Sequence, residues 1–310
     1  MPIWTHKRDY ARTSACGFKL AASLTALLAA SPALAGGVVP TGGQVTAGQA
    51  TIGTAPGGLI INQATGHAII NWQDFSIGAG NAVKFNNGSG ATLNRVTGGN
   101  LSQIDGVLKA TGSLYLINPQ GVVVGAGGKV ITGGSFVAST RDVNDDAFMR
   151  GDPLHAQGSS SGNVVNQGKI VSRYGDTILI GKDVSNSGTI KAPHGTAGLA
   201  AGDDVTLRPM DGDARISISA GKGDVTNTGA IAAAQAELNA AGGNVYAVAG
   251  NQGGLSATGT ATINGRVWLT SGGTTEISGK VSAVNKDGSG GTIIATAPTV
   301  AVDAGAKLTA

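Results

Sequence analysis

Cysteine is nearly absent from the chain: its single residue, Cys16, lies within the N-terminal leader. The remainder therefore holds no disulfide and no thiolate metal site. Cys16 also precedes the leader's apolar run, which does not fit a lipoprotein cleavage site. Aromatic residues make up only 4% of the 310 residues. That is too few for a β-propeller, whose blades of about 40 residues carry recurrent aromatic motifs. Long hydrophobic runs are missing as well. The run Leu20–Ala30 falls short of the roughly 20 residues a membrane helix needs, so no integral membrane segment is expected after leader removal. An excess of positive charge is lacking once the leader is set aside. Lys7, Arg8, Arg12 and Lys19 account for four of 21 cations and Asp9 for one of 18 acids, which leaves 17 of each. The remaining cations are scattered singly along the sequence, and no nucleic-acid partner is expected.

The leader itself has a basic start, a short apolar core and Ser31-Pro32-Ala33-Leu34-Ala35, which ends in an Ala-x-Ala site. This is the layout of a secretory signal peptide over residues 1–35, with cleavage between Ala35 and Gly36. A secreted chain without disulfides must be held together by core burial and backbone pairing.

Glycine is abundant, at 52 of 310 residues, against a usual share of about 7%. It accompanies Val, Ile, Thr, Asn and Ser, a mixture suited to short strands and tight turns. A repeat runs through the second half. Val164–Ile170 (VVNQGKI), Val184–Ile190 (VSNSGTI) and Val225–Ile231 (VTNTGAI) all fit V-x-N-x-G-x-I, with Asn-to-Asn spacings of 20 and 41. Between and after the echoes lie alternating strands of three to five residues such as Thr177–Ile180, Val205–Leu207 and Val267–Leu269. Ala230–Ala241 has helical propensity, but it begins inside an echo and reads as strand and turn. A period near 20 residues with several strands per period predicts an all-β chain, a right-handed parallel β-helix with an N-terminal capping region. Each period forms one coil, and coils stack at about 4.8 Å. Counting the 41-residue spacing as two periods, the rod would be roughly 60 Å long at that spacing. Inward Val, Ile and Leu form apolar ladders, and the repeated Asn fits a stacked turn position.

Residues 36–160 differ in character. They hold four of the five Phe, with Trp72 the single Trp among them, and no V-x-N-x-G-x-I echo. Residues 141–162 read as an exposed loop and mark a soft boundary before the repeats of 161–310. The strand-like text at the end of the sequence suggests the front of a longer rod.

Within the front region five motifs occur in order: Phe85-Asn86-Asn87, Leu93-Asn94-Arg95-Val96-Thr97-Gly98, Ser102-Gln103-Ile104-Asp105-Gly106, Leu116-Ile117-Asn118-Pro119-Gln120-Gly121-Val122 and Phe136-Val137-Ala138-Ser139-Thr140. This region resembles the haemagglutination-activity, or two-partner secretion, domain of filamentous-haemagglutinin-type exoproteins. The resemblance implies export to the periplasm by the Sec-type route. It then implies recognition by an outer-membrane β-barrel transporter with POTRA domains, passage of the unfolded chain and folding outside, and a secreted or surface-exposed adhesin whose further partner is a host-cell or glycan receptor. The family's Asn-Pro-Asn-Gly-Ile-like motif corresponds to Asn118, Pro119, Gln120, Gly121 and Val122, with Gln at the third place. Asn94 and Arg95 are the second candidate for transporter recognition. From the residues alone, Asn118–Gly121 is a turn, with Pro fixing φ and Gly free to take positive φ. Arg95 is equally suited to pairing with a nearby carboxylate.

No catalytic constellation is apparent. His67, His155 and His194 stand far apart without metal-ligand spacing. Asp203-Asp204 raises the alternative of a β-helical polysaccharide-degrading enzyme using paired carboxylates, but the accompanying motifs are missing and a solvated turn is expected. Asp142, Asp145, Asp146 and Asp152 have oxygen ligands for Ca²⁺ but not the regular spacing of a calcium loop. The chain is expected to act by binding, without cofactor or metal.

Overall fold

The computed structural model describes residues 38–211, 213–248 and 253–310. The leader and its Ala35–Gly36 site lie outside the described residues.

The alternation of apolar and polar residues makes strands, and the glycine-rich breaks between them turn corners. In one coil Val164–Asn166, Lys169–Ser172 and Thr177–Gly181 follow each other. Each pairs in parallel with its counterpart in the next coil: Val164 with Val184, Ile170 with Ile190, Ile178 with Gly198. Repeated along the chain, this gives the right-handed parallel β-helix expected. One face stacks the strands beginning at Gly58, Ala82, Val107, Lys129, Lys169, Thr189, Ala230, Gly254, Lys280 and Lys307. Nine gaps of about 4.8 Å between them give a rod of roughly 43 Å. Another face is an eight-stranded sheet running from Ser102–Ile104 to Thr299–Val302.

Stacking turns single inward residues into ladders. Leu108, Val130, Ile170, Ile190, Ile231, Leu255 and Val281 lie in register, each at most 1% exposed. Each such side chain contributes roughly 1.5–3 kcal/mol by leaving water. The repeated asparagines form a second ladder, inside the stack. The Asn166 side-chain amide donates to Asn186 Oδ1 and that of Asn186 to Asn227 Oδ1, both at 2.7 Å. Ala230–Ala240 is a strand and not a helix.

The front of the stack is closed by antiparallel strands, Gln44–Ala47 against His67–Trp72 and Ala50–Ala55 against Gly58–Gln63. Trp72, Phe75 and Phe85 fill the core there, with Trp72 edge-on to Phe75 at 5.4 Å. The expected capping region is thus formed by the aromatic-rich segment.

Two expectations are corrected. The 41-residue spacing is not two coils, because Asn186 and Asn227 sit on adjacent strands. The additional residues leave the stack as a hairpin, Asp204–Leu207 with Ile216–Ala220. The rod is accordingly shorter than a uniform 20-residue period implies. Residues 141–162 are also not simply an exposed loop. They contain a hairpin strand pair, Asp142–Val143 with His155–Gln157, and a helix, Asp145–Arg150. Asn144 caps the helix by accepting from the Ala147 N–H at 2.9 Å, and Gly151 ends it at φ +76°. The hairpin pairs with Asp204–Leu207, so two excursions remote in sequence join into one four-stranded antiparallel sheet. That sheet covers outward apolar residues of the stack, packing Leu154, Ala156, Val205 and Ile216 on Val137, Ile178 and Ile180. Phe148 of the helix covers Ile69, Leu93 and Ile117 in the same way.

Candidate functional site

Asn118 ends the strand Ser113–Ile117, and Pro119 prevents that strand from continuing. The Asn118 side chain is fully buried. Its Oδ1 accepts from the Gln120 N–H at 2.9 Å, while its amide donates to Asn100 O at 3.0 Å and Ser102 Oγ at 2.9 Å. The Gly121 N–H closes the turn onto Asn118 O at 3.0 Å. Gly121 has φ +125°, which side-chain-bearing residues rarely adopt, and a Cβ there would lie 3.1 Å from Asn163 O. Pro119 and Gln120 are exposed, and Val122 returns to the core. The motif therefore presents two exposed side chains at the tip of a corner pinned by a buried amide.

Asn94 and Arg95 are brought alongside it, since Asn94 pairs with Leu116 and Arg95 with Ile117. Asn94 is fully buried and accepts the Trp72 indole N–H at 2.9 Å. It ties the aromatic cap to the next coils and is not available to a partner of the folded protein. Arg95 points the other way, as strand alternation requires. It donates to Asp142 Oδ1 at 2.9 Å, Asp145 Oδ1 at 2.6 Å and Val143 O at 3.1 Å. Burial opposes the guanidinium's charge, but the two carboxylates outweigh it and hold Arg95 above the ordinary arginine range. Arg95 thus fastens the helix and hairpin to the stack. Beneath them lies a cavity of about 120 Å³ bordered by Tyr115, Phe148, Leu154 and His155. Burial raises the Tyr115 hydroxyl's pKa above its ordinary value.

The other candidates disperse. Asp142 and Asp145 serve Arg95, and Asp152 pairs with Arg150 at 2.7 Å. Among the described residues no group of three or more His, Cys, Asp or Glu is placed to hold a metal ion. Asp203 and Asp204 do not form a solvated turn, nor do they converge. Asp203 meets Arg141 at 2.7 Å, whereas Asp204 lies in a strand and meets His155 and Gln157, both at 2.9 Å. Those hydrogen bonds, Gln157's first, hold the Asp204 carboxyl below the usual aspartate range. His67 packs edge-on to Phe148 and His194 stacks on Tyr174.

Arg141 was not signalled by the sequence. Its side chain is fully buried and reaches Gly202 O at 2.8 Å, Ser160 O at 2.8 Å and Asp203, joining the two excursions. Burial pulls its pKa down, with Asp203 opposing. These partners are 19 to 62 residues away along the chain, so no local pattern marks it.

Comparison with known proteins places this arrangement. A heme/hemopexin-binding protein of Haemophilus influenzae is 34% identical over 220 residues, covering 66% of this chain and 24% of that protein. A second protein of that name and species is 41% identical over 87 residues, 27% of this chain and 9% of its own. The chain thus spans about a quarter or less of the length of these relatives. The crystal structure of the HMW1 secretion domain from Haemophilus influenzae matches with TM-score 0.76 at 30% identity, covering 87% of this chain and 73% of that one. The TPS secretion domain family matches residues 36–296, nearly the whole β-helix, and the chain belongs to that family.

Proposed function

We propose that this domain is the export-recognition module of a two-partner secretion exoprotein. A Sec-type signal peptide takes the chain to the periplasm. A partner outer-membrane β-barrel with POTRA domains then recognises residues around Asn118–Val122, with Asn94 and Arg95 on the adjoining strand. The exported protein acts at the cell surface or in the medium as a haemagglutinin-like adhesin, by binding and not by catalysis. The observation that carries the reading is the corner at Asn118, where one buried side chain ties its own turn to the Asn100–Ser102 stretch in a secretion-domain fold. Relatives named for what they bind support a binding role.

The test is co-expression with the partner transporter and a count of secreted against periplasmic protein. Asn118→Ala and Gly121→Ala should each leave most of the protein in the periplasm. Unchanged secretion of a folded product would refute the assignment. Polysaccharide cleavage by the purified chain that Asp204→Asn abolishes would instead establish the enzyme alternative. The separation of Asp203 and Asp204 onto different partners argues against it.

A further inference from the structure

Lysines that stand singly in the sequence are gathered by the coil register. On the outer side of the face that begins at Gly58, Lys84 lies directly beside Lys109, and Lys129 directly beside Lys169. Lys191 continues the Lys84–Lys109 column three coils beyond Lys109, past Ile131 and Val171. All five lysines are exposed, and among the described residues none has a carboxylate within ion-pair distance. Like charges directly opposite on neighbouring strands repel. The chain after its leader is neutral, so this concentration is not a by-product of overall charge. The two columns are two residues apart along each strand, and Lys84 to Lys191 spans four coil gaps, roughly 19 Å at about 4.8 Å each.

A second observation lies at the edge of the same stripe. Tyr174 is 77% exposed, the most exposed large apolar side chain among the described residues, and it stacks on His194 at 5.7 Å between centroids. Tyr174, Arg173, Lys84 and Lys109 border one open groove of about 390 Å³ floored by Ile131. The groove therefore joins two adjacent lysines and an arginine to a flat aromatic face and an aliphatic floor, with the other lysines of the stripe beside it. A linear acidic sugar chain has the matching chemistry: repeated sulfate or carboxylate groups, and apolar C–H faces that pack on an aromatic ring.

We propose that this lysine-laddered groove binds a linear anionic glycan lying along the rod axis. The inference names the ligand class of the adhesive role proposed above and rests on that part of it. Export is measured separately and does not bear on it. The test uses the secreted full chain and a heparin oligosaccharide, with uncharged dextran and inorganic polyphosphate as comparators. The oligosaccharide should bind, dextran should not, and the affinity should fall steeply with salt, as it does for other polyanions. Lys84→Gln with Lys109→Gln should weaken saccharide binding about tenfold and flatten the salt dependence. Lys182→Gln with Lys222→Gln, away from the groove, should leave it unchanged. Tyr174→Ala should weaken the saccharide about threefold or more while leaving polyphosphate binding as it was. All variants change exposed side chains, and an unchanged Tm verifies their folding. The proposal is overturned if the saccharide does not bind, if the control pair weakens it equally, or if Tyr174→Ala shifts both polyanions alike or neither.

Discussion

Asn186 occupies the middle of the buried asparagine ladder, and its removal has a calculable consequence. Asn166 donates to it and it donates to Asn227, both at 2.7 Å and all three at most 1% exposed. Asn186→Ala leaves two buried polar atoms without partners, the Asn166 amide and Asn227 Oδ1. At roughly 1–3 kcal/mol per orphaned group this costs about 2–6 kcal/mol. Asn227→Ala orphans only the Asn186 amide and should cost about 1–3 kcal/mol on the same scale. The double variant again leaves a single orphan, the Asn166 amide. It should be no less stable than Asn186→Ala alone, and well short of the sum of the two single losses. Urea unfolding of the purified chain, followed by circular dichroism with m-values compared across the set, measures all three. Additive losses, or an Asn227→Ala variant as damaged as Asn186→Ala, would show that the ladder's bonds are not its source of stability.

Two further perturbations concern buried charge. Arg141→Met removes the clamp on Gly202 O, Ser160 and Asp203. Asp203 keeps partial access to water, so the loss should fall toward the lower end of the roughly 3–5 kcal/mol typical of breaking a buried pair. Limited proteolysis should then cut within residues 142–162 before the stack is attacked; cleavage elsewhere first would refute the clamp. Glu237 is the second case. Burial holds its carboxyl above the ordinary value of 4.5, against the opposing Arg215 and Ile216 N–H groups. The folded chain therefore keeps a proton that the unfolded chain has lost, and stability falls as pH rises from 4.5 through the raised value. Asp204, held low, acts with the opposite sign on the acid side of 3.8, where its contribution disappears as pH falls. Urea midpoints against pH should show the Glu237 slope in the native chain and not in Glu237→Gln; an identical slope in both would contradict the assignment.

Legibility in the sequence followed locality. The inward ladder at Ile170, Ile190 and Ile231 and the asparagine ladder were visible, because a residue that repeats at coil period must stack on itself. The Asn118 turn was visible too, because its backbone geometry is set within four residues, whereas the bonds of its amide to Asn100 and Ser102 were not. The excursions were not. Phe148, Leu154 and Ala156 lie in short apolar stretches within polar text, and only the side of the stack gives them something to cover. A 41-residue interval that equals two periods by length is one coil and one hairpin by pairing, a difference that spacing alone does not register. The lysine columns were hidden for the same reason: neighbours in the columns are 25 or 40 residues apart in the chain.

The burial of Asn118 bears on when the transporter reads it. In the folded domain only Pro119 and Gln120 of that turn are open to a partner, while Asn118 is bonded to Asn100, Ser102 and Gln120. A transporter that needs the Asn118 side chain must meet the chain before this corner closes, which accords with passage of an unfolded chain. Three substitutions separate recognition from folding. Gln120→Ala removes an exposed side chain and should leave secretion nearly unchanged. Ser102→Ala loosens the same corner by one hydrogen bond, about 0.5–1.5 kcal/mol, without altering the motif. Asn118→Ala alters both. If Asn118 is read as a signal in the unfolded chain, Asn118→Ala should block secretion far more than Ser102→Ala, even after both are compared at equal urea midpoint by lowering the temperature for the weaker one. If the two fall together, the corner serves secretion only through folding outside the cell. If Gln120→Ala alone is severe, the transporter reads the folded tip, and the order of events argued here is reversed.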